Sequence, residues 1–397
     1  MPRPGFRLTL LLSLPAFRAL LARVAPLATG ILLFAFGGAG GDPLPARSVP
    51  VTVVTDIAFR ELPNWRGLAR GAITRATEDL AGDAGLVFPV AGETEWEPPD
   101  YAAGLDAVLA AGLKAVPAGD GITAIFLGSP PQGLPGGERG YAFLSKPGFL
   151  VFAPGAETWE LGRGLRDQLA MLVRHELGHV FGIPHLRGAN VMAPAPEGRA
   201  WTYGELGIEI LRANRGFRFG SEVPFAGCAL DTLRDVYELL DQLGEMEPAL
   251  FVDLAWAYRA RGDLDVSEEL FRAALRRDRT SPAARFGLAK CAVASKDTLR
   301  ALGLAEELAA LDLPLRAQVE LGALWIELRR FAVAESLLAQ VVLREQIPEA
   351  WFNLGLVRLR LRDRDGAVLA LRRYFELDPD GPRRKEVLNF LQREPPD

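Results

Sequence analysis

Residues 175–185 read HELGHVFGIPH, and all three histidines of the 397-residue chain lie in this stretch. His175 and His179 are four apart, so on a helix they share a face and can aim two imidazoles at one ion. Glu176 is turned from His175 by about 100°, where a carboxylate can hold a water beside a metal without ligating it. Gly182 suits the left-handed conformation that stops a helix. The chain can then double back, and three residues later His185 supplies a third imidazole. Three protein ligands with the fourth position left to water describe a catalytic rather than a structural zinc site. Reading the stretch as a helix with merely buried or capping histidines leaves the joint spacing unexplained.

Beyond His185 the chain reads NVMAP (190–194), with Met192, seven residues on, at its centre. Together these residues fit H-E-x-x-H-x-x-G-x-x-H followed by a methionine turn, and the stretch resembles the zinc site of metzincin peptidases. Pro194 and the segment RGYAFLSKPGFLVFAPG (139–155) are similar to the matrixin branch. Leu186 stands where matrixins usually carry Ser, and the spacing to Met192 is about one residue shorter, so the likeness is to the matrixin-like clan. The resemblance spans about residues 49–216. It implies Zn2+ held by His175, His179 and His185, Glu176 as general base, and Met192 as the apolar base beneath the metal. It also implies an extended substrate along an edge strand at Tyr141, Ala142, Phe143 and Leu144.

At 49% hydrophobic residues the chain can bury a sizeable core, and its length suggests two or three domains. Net charge is -5, which invites no nucleic-acid partner. Residues 1–41 carry Arg3, Arg7, Arg18 and Arg23 and no acid, then an apolar run from Val24 to Phe36 and a GGAGG tail. That composition reads as a signal peptide cleaved near Ala39, or as a membrane anchor if uncleaved. A secreted or periplasmic location follows, with membrane attachment only in the uncleaved case. Cys228 and Cys291 make no disulfide framework; one bond or two free thiols both remain open.

From Val49 the pattern is mixed. VPVTVVTDI, Leu86–Val90 and GITAIFL (121–127) read as strands, and Trp65–Leu80 has helical spacing. The histidine helix should begin between Thr158 and Gly164, with Leu165, Leu169, Leu172 and Val173 on its buried face. Thr202 and Glu205 form a capping-box pattern for a helix to about Asn214. The expected fold is an α+β metzincin-like catalytic domain over 49–217, a twisted mixed sheet plus the zinc helix. A linker over 218–229 then leads to an all-α array.

That array, 230–394, carries a repeat. Leu254-Ala255-Tyr258, Leu288-Ala289-Ala292, Leu321-Gly322-Trp325 and Leu354-Gly355-Arg358 recur at spacings of 34, 33 and 33 residues. This period, and the last copy AWFNLGLVRLRLRDRDGAVLALRRYFELDPD, resemble the tetratricopeptide repeat and imply three to four helix pairs stacked into a solenoid. The expectation is a zinc metalloendopeptidase acting on peptide or protein substrates, with an autonomous array recruiting a protein partner. The alternatives are a catalytically silent tetratricopeptide scaffold and a non-peptidase zinc hydrolase.

Overall fold

The computed structural model describes residues 46–99, 104–116, 119–128, 139–153, 164–188, 190–193, 201–219, 221 and 224–392. The N-terminal segment, Thr158 and Pro194 lie outside them. In chain order the sheet region runs β1 (Arg47–Ser48), β2 (Val51–Thr55), α1 (Ile57–Arg60), α2 (Trp65–Thr77), α3 (Leu80–Ala84), β3 (Leu86–Val87), β4 (Val90–Glu95), α4 (Leu105–Ala115), β5 (Ile122–Leu127), β6 (Gly140–Ala142), β7 (Gly148–Phe152), α5 (Leu165–Val180) and α6 (Gly204–Ala213). The main sheet has strand order β4-β2-β5-β7-β6; β6 is antiparallel and the other four strands are parallel. β1 and β3 pair separately in parallel.

Helices cover both faces of this sheet, which is why every residue of β5 and β7 is buried. Alternation along the strands sorts the side chains. Val53, Ala124, Phe126, Phe149 and Val151 join a core with Ala72 and Ile73 of α2 and Leu169, Ala170 and Val173 of α5. Val54, Ile125, Leu150 and Phe152 turn the other way, onto Leu105, Val108 and Leu109 of α4. The buried Arg174 ties α5 down at one point: its Nη1 donates to Ala76 O at 2.7 Å, and its guanidinium grips the Asp79 carboxylate at 2.7 and 3.0 Å.

The helical region follows as α7 (Leu230–Leu243), α8 (Pro248–Arg261), α9 (Leu264–Arg277), α10 (Pro282–Ala294), α11 (Thr298–Ala309), α12 (Leu315–Glu327), α13 (Phe331–Arg344), α14 (Pro348–Arg360), α15 (Arg364–Leu377) and α16 (Arg384–Leu391). Each expected repeat signature falls on the first helix of a pair, α8, α10, α12 or α14. Gly322 lies against Leu338, and Gly355 against Leu371, so closely that an added Cβ would press on the leucine. The small residue is what lets the paired helices approach. Among the described residues no helix is long and apolar enough to cross a membrane.

Two sequence expectations are corrected. Thr202 forms no capping box: α6 starts at Gly204 after Tyr203, without a side-chain cap bond, and the Thr202 carbonyl instead accepts Val191 N–H at 2.8 Å. The expected linker is packed rather than free. Phe217, Phe219 and Phe225 are buried, stack on one another at 5.0 and 5.1 Å, and reach Phe181 at the end of α5. One hydrophobic core consequently runs from Val49 to Cys291, across the sheet region and the first helical pairs. Residues Arg47–Asp397 form one compact unit. Both thiols are free: Cys291 is buried near Ser267, and Cys228 is half-buried.

Candidate metal centre

The last two turns of α5 carry His175, Glu176 and His179. The helix ends as its sequence demands. Gly182 takes φ +77°, its N–H donates to His179 O at 2.9 Å, and Ile183 N–H reaches back to Gly178 O at 3.0 Å. That turn brings His185 over the helix end. One nitrogen from each of the three imidazoles then lies within 4.8 Å of the others.

Ring orientation is set from behind. Nδ1 of His175 is 2.6 Å from Val191 O, and Nδ1 of His179 is 2.8 Å from Ile183 O. A carbonyl only accepts, so both Nδ1 atoms carry the proton and both Nε2 atoms present lone pairs, 3.2 Å apart. Two lone pairs at that distance are placed to share one cation. A proton is a poor candidate: burial first, then the neighbouring imidazoles, push His179 down to about 3, and burial likewise lowers His175. Neutral imidazoles with converging Nε2 atoms are what a zinc ion takes as ligands. The residues fit the metal that the sequence implies.

Glu176 is buried beside this cluster and is held under the edge strand. A Cβ on Gly140 at the start of β6 would collide with the Glu176 carboxylate. Met192 is fully buried, and a Cβ on Gly178 would strike its sulfur, so the thioether packs against the helix between the first two histidines. Its backbone is pinned as well, by Asn190 Oδ1 on Met192 N–H at 2.8 Å and by Leu186 N–H on Met192 O at 3.1 Å.

The four edge-strand residues divide. Ala142 and Leu144 pack on the α5 side of the sheet, whereas Tyr141 and Phe143 pack edge to face at 5.4 Å on the α4 side. β6 spans only Gly140–Ala142, so Phe143 and Leu144 belong to the turn after it.

Sequence reasoning missed the supports from the C-terminal side. Asn214 Nδ2 donates to Phe181 O at 2.6 Å, and Tyr237 Oη on α7 donates to Gly182 O at 3.0 Å. Glu245 accepts from Arg187 N–H at 3.3 Å, and Glu247 Oε1 is 3.9 Å from His185 Nδ1. Three phenylalanines in a segment otherwise rich in Gly, Ser and Pro were the one visible hint of this packing.

Residues 252–314 and 321–382 match the family model of the tetratricopeptide repeat. The helical region is thus a tetratricopeptide array, a scaffold of the kind that binds protein partners. Among solved structures the chain is similar to YrrB, described as a TPR protein with an unusual peptide-binding site, at 17% identity over 41% of this chain and 82% of that one, TM-score 0.32. It is also similar to TTC0263, a thermophilic TPR protein of Thermus thermophilus, at 17% identity over 41% and 91%, TM-score 0.35. A third is pilF of Pseudomonas aeruginosa, at 18% identity over 38% and 77%, TM-score 0.33. No curated protein matches.

Proposed function

We propose that the chain is a zinc-dependent endopeptidase of metzincin type whose tetratricopeptide array binds a protein partner or substrate. The observation that carries this reading is the convergence of His175, His179 and His185 on one point, with the buried Glu176 next to His175 on the same helix. His175, His179 and His185 would hold the ion. When bound, the ion would supply a Lewis acid for the scissile carbonyl and for a water. Glu176 accepts the proton of the attacking water and passes it to the leaving nitrogen. β6, antiparallel and at the sheet edge, is the strand beside which an extended peptide would lie. Tyr141 and Phe143 are occupied with the α4 side, so contact there falls to backbone groups and to Ala142. The extracytoplasmic setting suggested by residues 1–41 belongs to the same proposal.

A catalytically silent scaffold is the reading that the family match alone favours, because that match falls wholly within the array. Incubation of the full chain with an unstructured protein, with zinc, with chelator, and with zinc restored, separates the readings. Cleavage lost on chelation and recovered with zinc is the expected result. Zinc binding without cleavage of protein leaves a silent scaffold or a hydrolase of another bond. No zinc binding removes the enzyme reading altogether.

A further inference from the structure

We propose that Glu247, in the loop joining α7 to α8, is a positioning residue for His185, so that the helical region completes the surroundings of the metal ligands. The inference rests on the zinc reading above. His175 and His179 each have Nδ1 held by a backbone carbonyl of their own region. The Nδ1 of His185 instead faces the Glu247 carboxylate, at 3.9 Å. That is longer than a hydrogen bond, and a small rotation of this half-exposed side chain closes the remaining gap. The nitrogen so engaged is the one that the other two histidines also use for support, which leaves Nε2 of all three for the ion.

The loop is placed there by more than one contact. Gly244 ends α7 at φ +74°, and Glu245 N–H returns to Leu240 O at 2.9 Å, which fixes the path into Glu247. Glu245 itself accepts from Arg187 N–H, two residues after the ligand. Tyr237, earlier on α7, holds Gly182, three residues before it. The segment carrying His185 is therefore gripped on both sides by α7 and the loop that follows. A carboxylate on the far nitrogen of a ligating imidazole fixes its tautomer and orientation and raises its basicity, and loss of such a partner costs about 10–100-fold in metal affinity. A half-exposed polar contact of this kind contributes little to folding. Affinity and stability should accordingly respond differently.

The test uses the full chain, stripped of metal and titrated with zinc against a competing chelator. Wild type is expected to take up one zinc. Glu247→Gln and Glu247→Ala should weaken binding about 10–100-fold, Ala more than Gln, with the denaturant midpoint of the metal-free chain unchanged. Glu345→Gln, at an exposed position far along the array, should bind as wild type does. Unchanged affinity in both Glu247 variants overturns the inference and leaves the zinc reading standing. A metal-free midpoint that falls in step with affinity also overturns it, since the residue would then act on the fold. No uptake by wild type removes the zinc reading and this inference with it.

Discussion

In the sheet region, Val53, Ala124 and Phe126 share one core with α5 residues Leu169 and Val173 across long stretches of chain, through a sheet whose neighbours are rarely consecutive. In the helical region, Gly322 meets Leu338 and Gly355 meets Leu371, each sixteen residues on and in the next helix. The first architecture depends on all of its parts at once, and the second is a series of neighbour contacts. The boundary between them does not fall where the style of packing changes. α7 to α10 look like the second but are buried with the first, in one core that ends at Cys291. The last pairs have clusters of their own.

The hardest way to break that comparison is to cut the chain. Ending it after Ala229 removes every shared-core side chain from Leu230 to Cys291, among them Leu233, Val236, Tyr237 and Leu240 of α7. At about 1.5–3 kcal/mol each, those four alone amount to about 6–12 kcal/mol, comparable with the whole stability of a domain. The shortened chain should lack a cooperative unfolding transition and should not retain zinc. Ending after Glu345 removes the terminal cluster around Phe352, Leu371, Tyr374 and Val387 and part of the cluster before it, but nothing of the shared core. That cut should leave zinc uptake at wild-type level. Circular dichroism melts and metal analysis on both chains check this. A folded, zinc-binding product from the first cut would restore two independent domains.

The next effect concerns chemistry inside the sheet region. Glu176→Ala leaves the three imidazoles in place, so zinc content should stay stoichiometric while turnover falls at least about 100-fold. Near-normal turnover would take the general base away from Glu176 and leave the cluster a binding site only.

Asp253 on α8 probes the junction through pH. Burial pushes its carboxyl up to about 6 from 3.8, with Lys146 of the β6–β7 turn pulling the other way. A raised acid favours the native state most when protonated. Its contribution is complete below pH 3.8 and is lost as pH rises through about 6. Asp253→Asn should therefore gain stability relative to wild type between about pH 4 and 7, by about 1–3 kcal/mol after allowance for solvent screening. Denaturant titrations across that range check it. A difference that is flat with pH would mean Asp253 is not desolvated at the junction.

The features legible in the sequence were those written locally. His175, His179 and His185 are brought together by one helix and one turn, so their spacing sufficed. The repeat period announced the paired helices for the same reason. What stayed hidden depends on distant partners: Phe219 against Phe181, Tyr237 against Gly182, Glu247 against His185. Residues 218–229 read as a linker although they hold Phe219 and Phe225, because an aromatic side chain shows nothing of what it will stack on. Thr202 misled for a related reason: its carbonyl was claimed by Val191, and the helix began later.

The smallest expected effect tests the junction most directly. Tyr237→Phe keeps the buried ring and removes only the hydroxyl that donates to Gly182 O at 3.0 Å. The carbonyl belongs to the turn between the second and third histidines, while the ring belongs to the helical region's first helix. Loss of one such bond costs about 0.5–1.5 kcal/mol, with more if the buried carbonyl finds no other donor. Because both groups lie in one core, the whole unit from the sheet to the first pairs should shift together, as a single transition at lower denaturant with an unchanged slope. Fluorescence of Trp201, beside α5, and a helix-reporting signal should then give coincident curves. Two separated curves, with only the helical signal displaced, would show that the sheet region holds its histidine turn without help from α7.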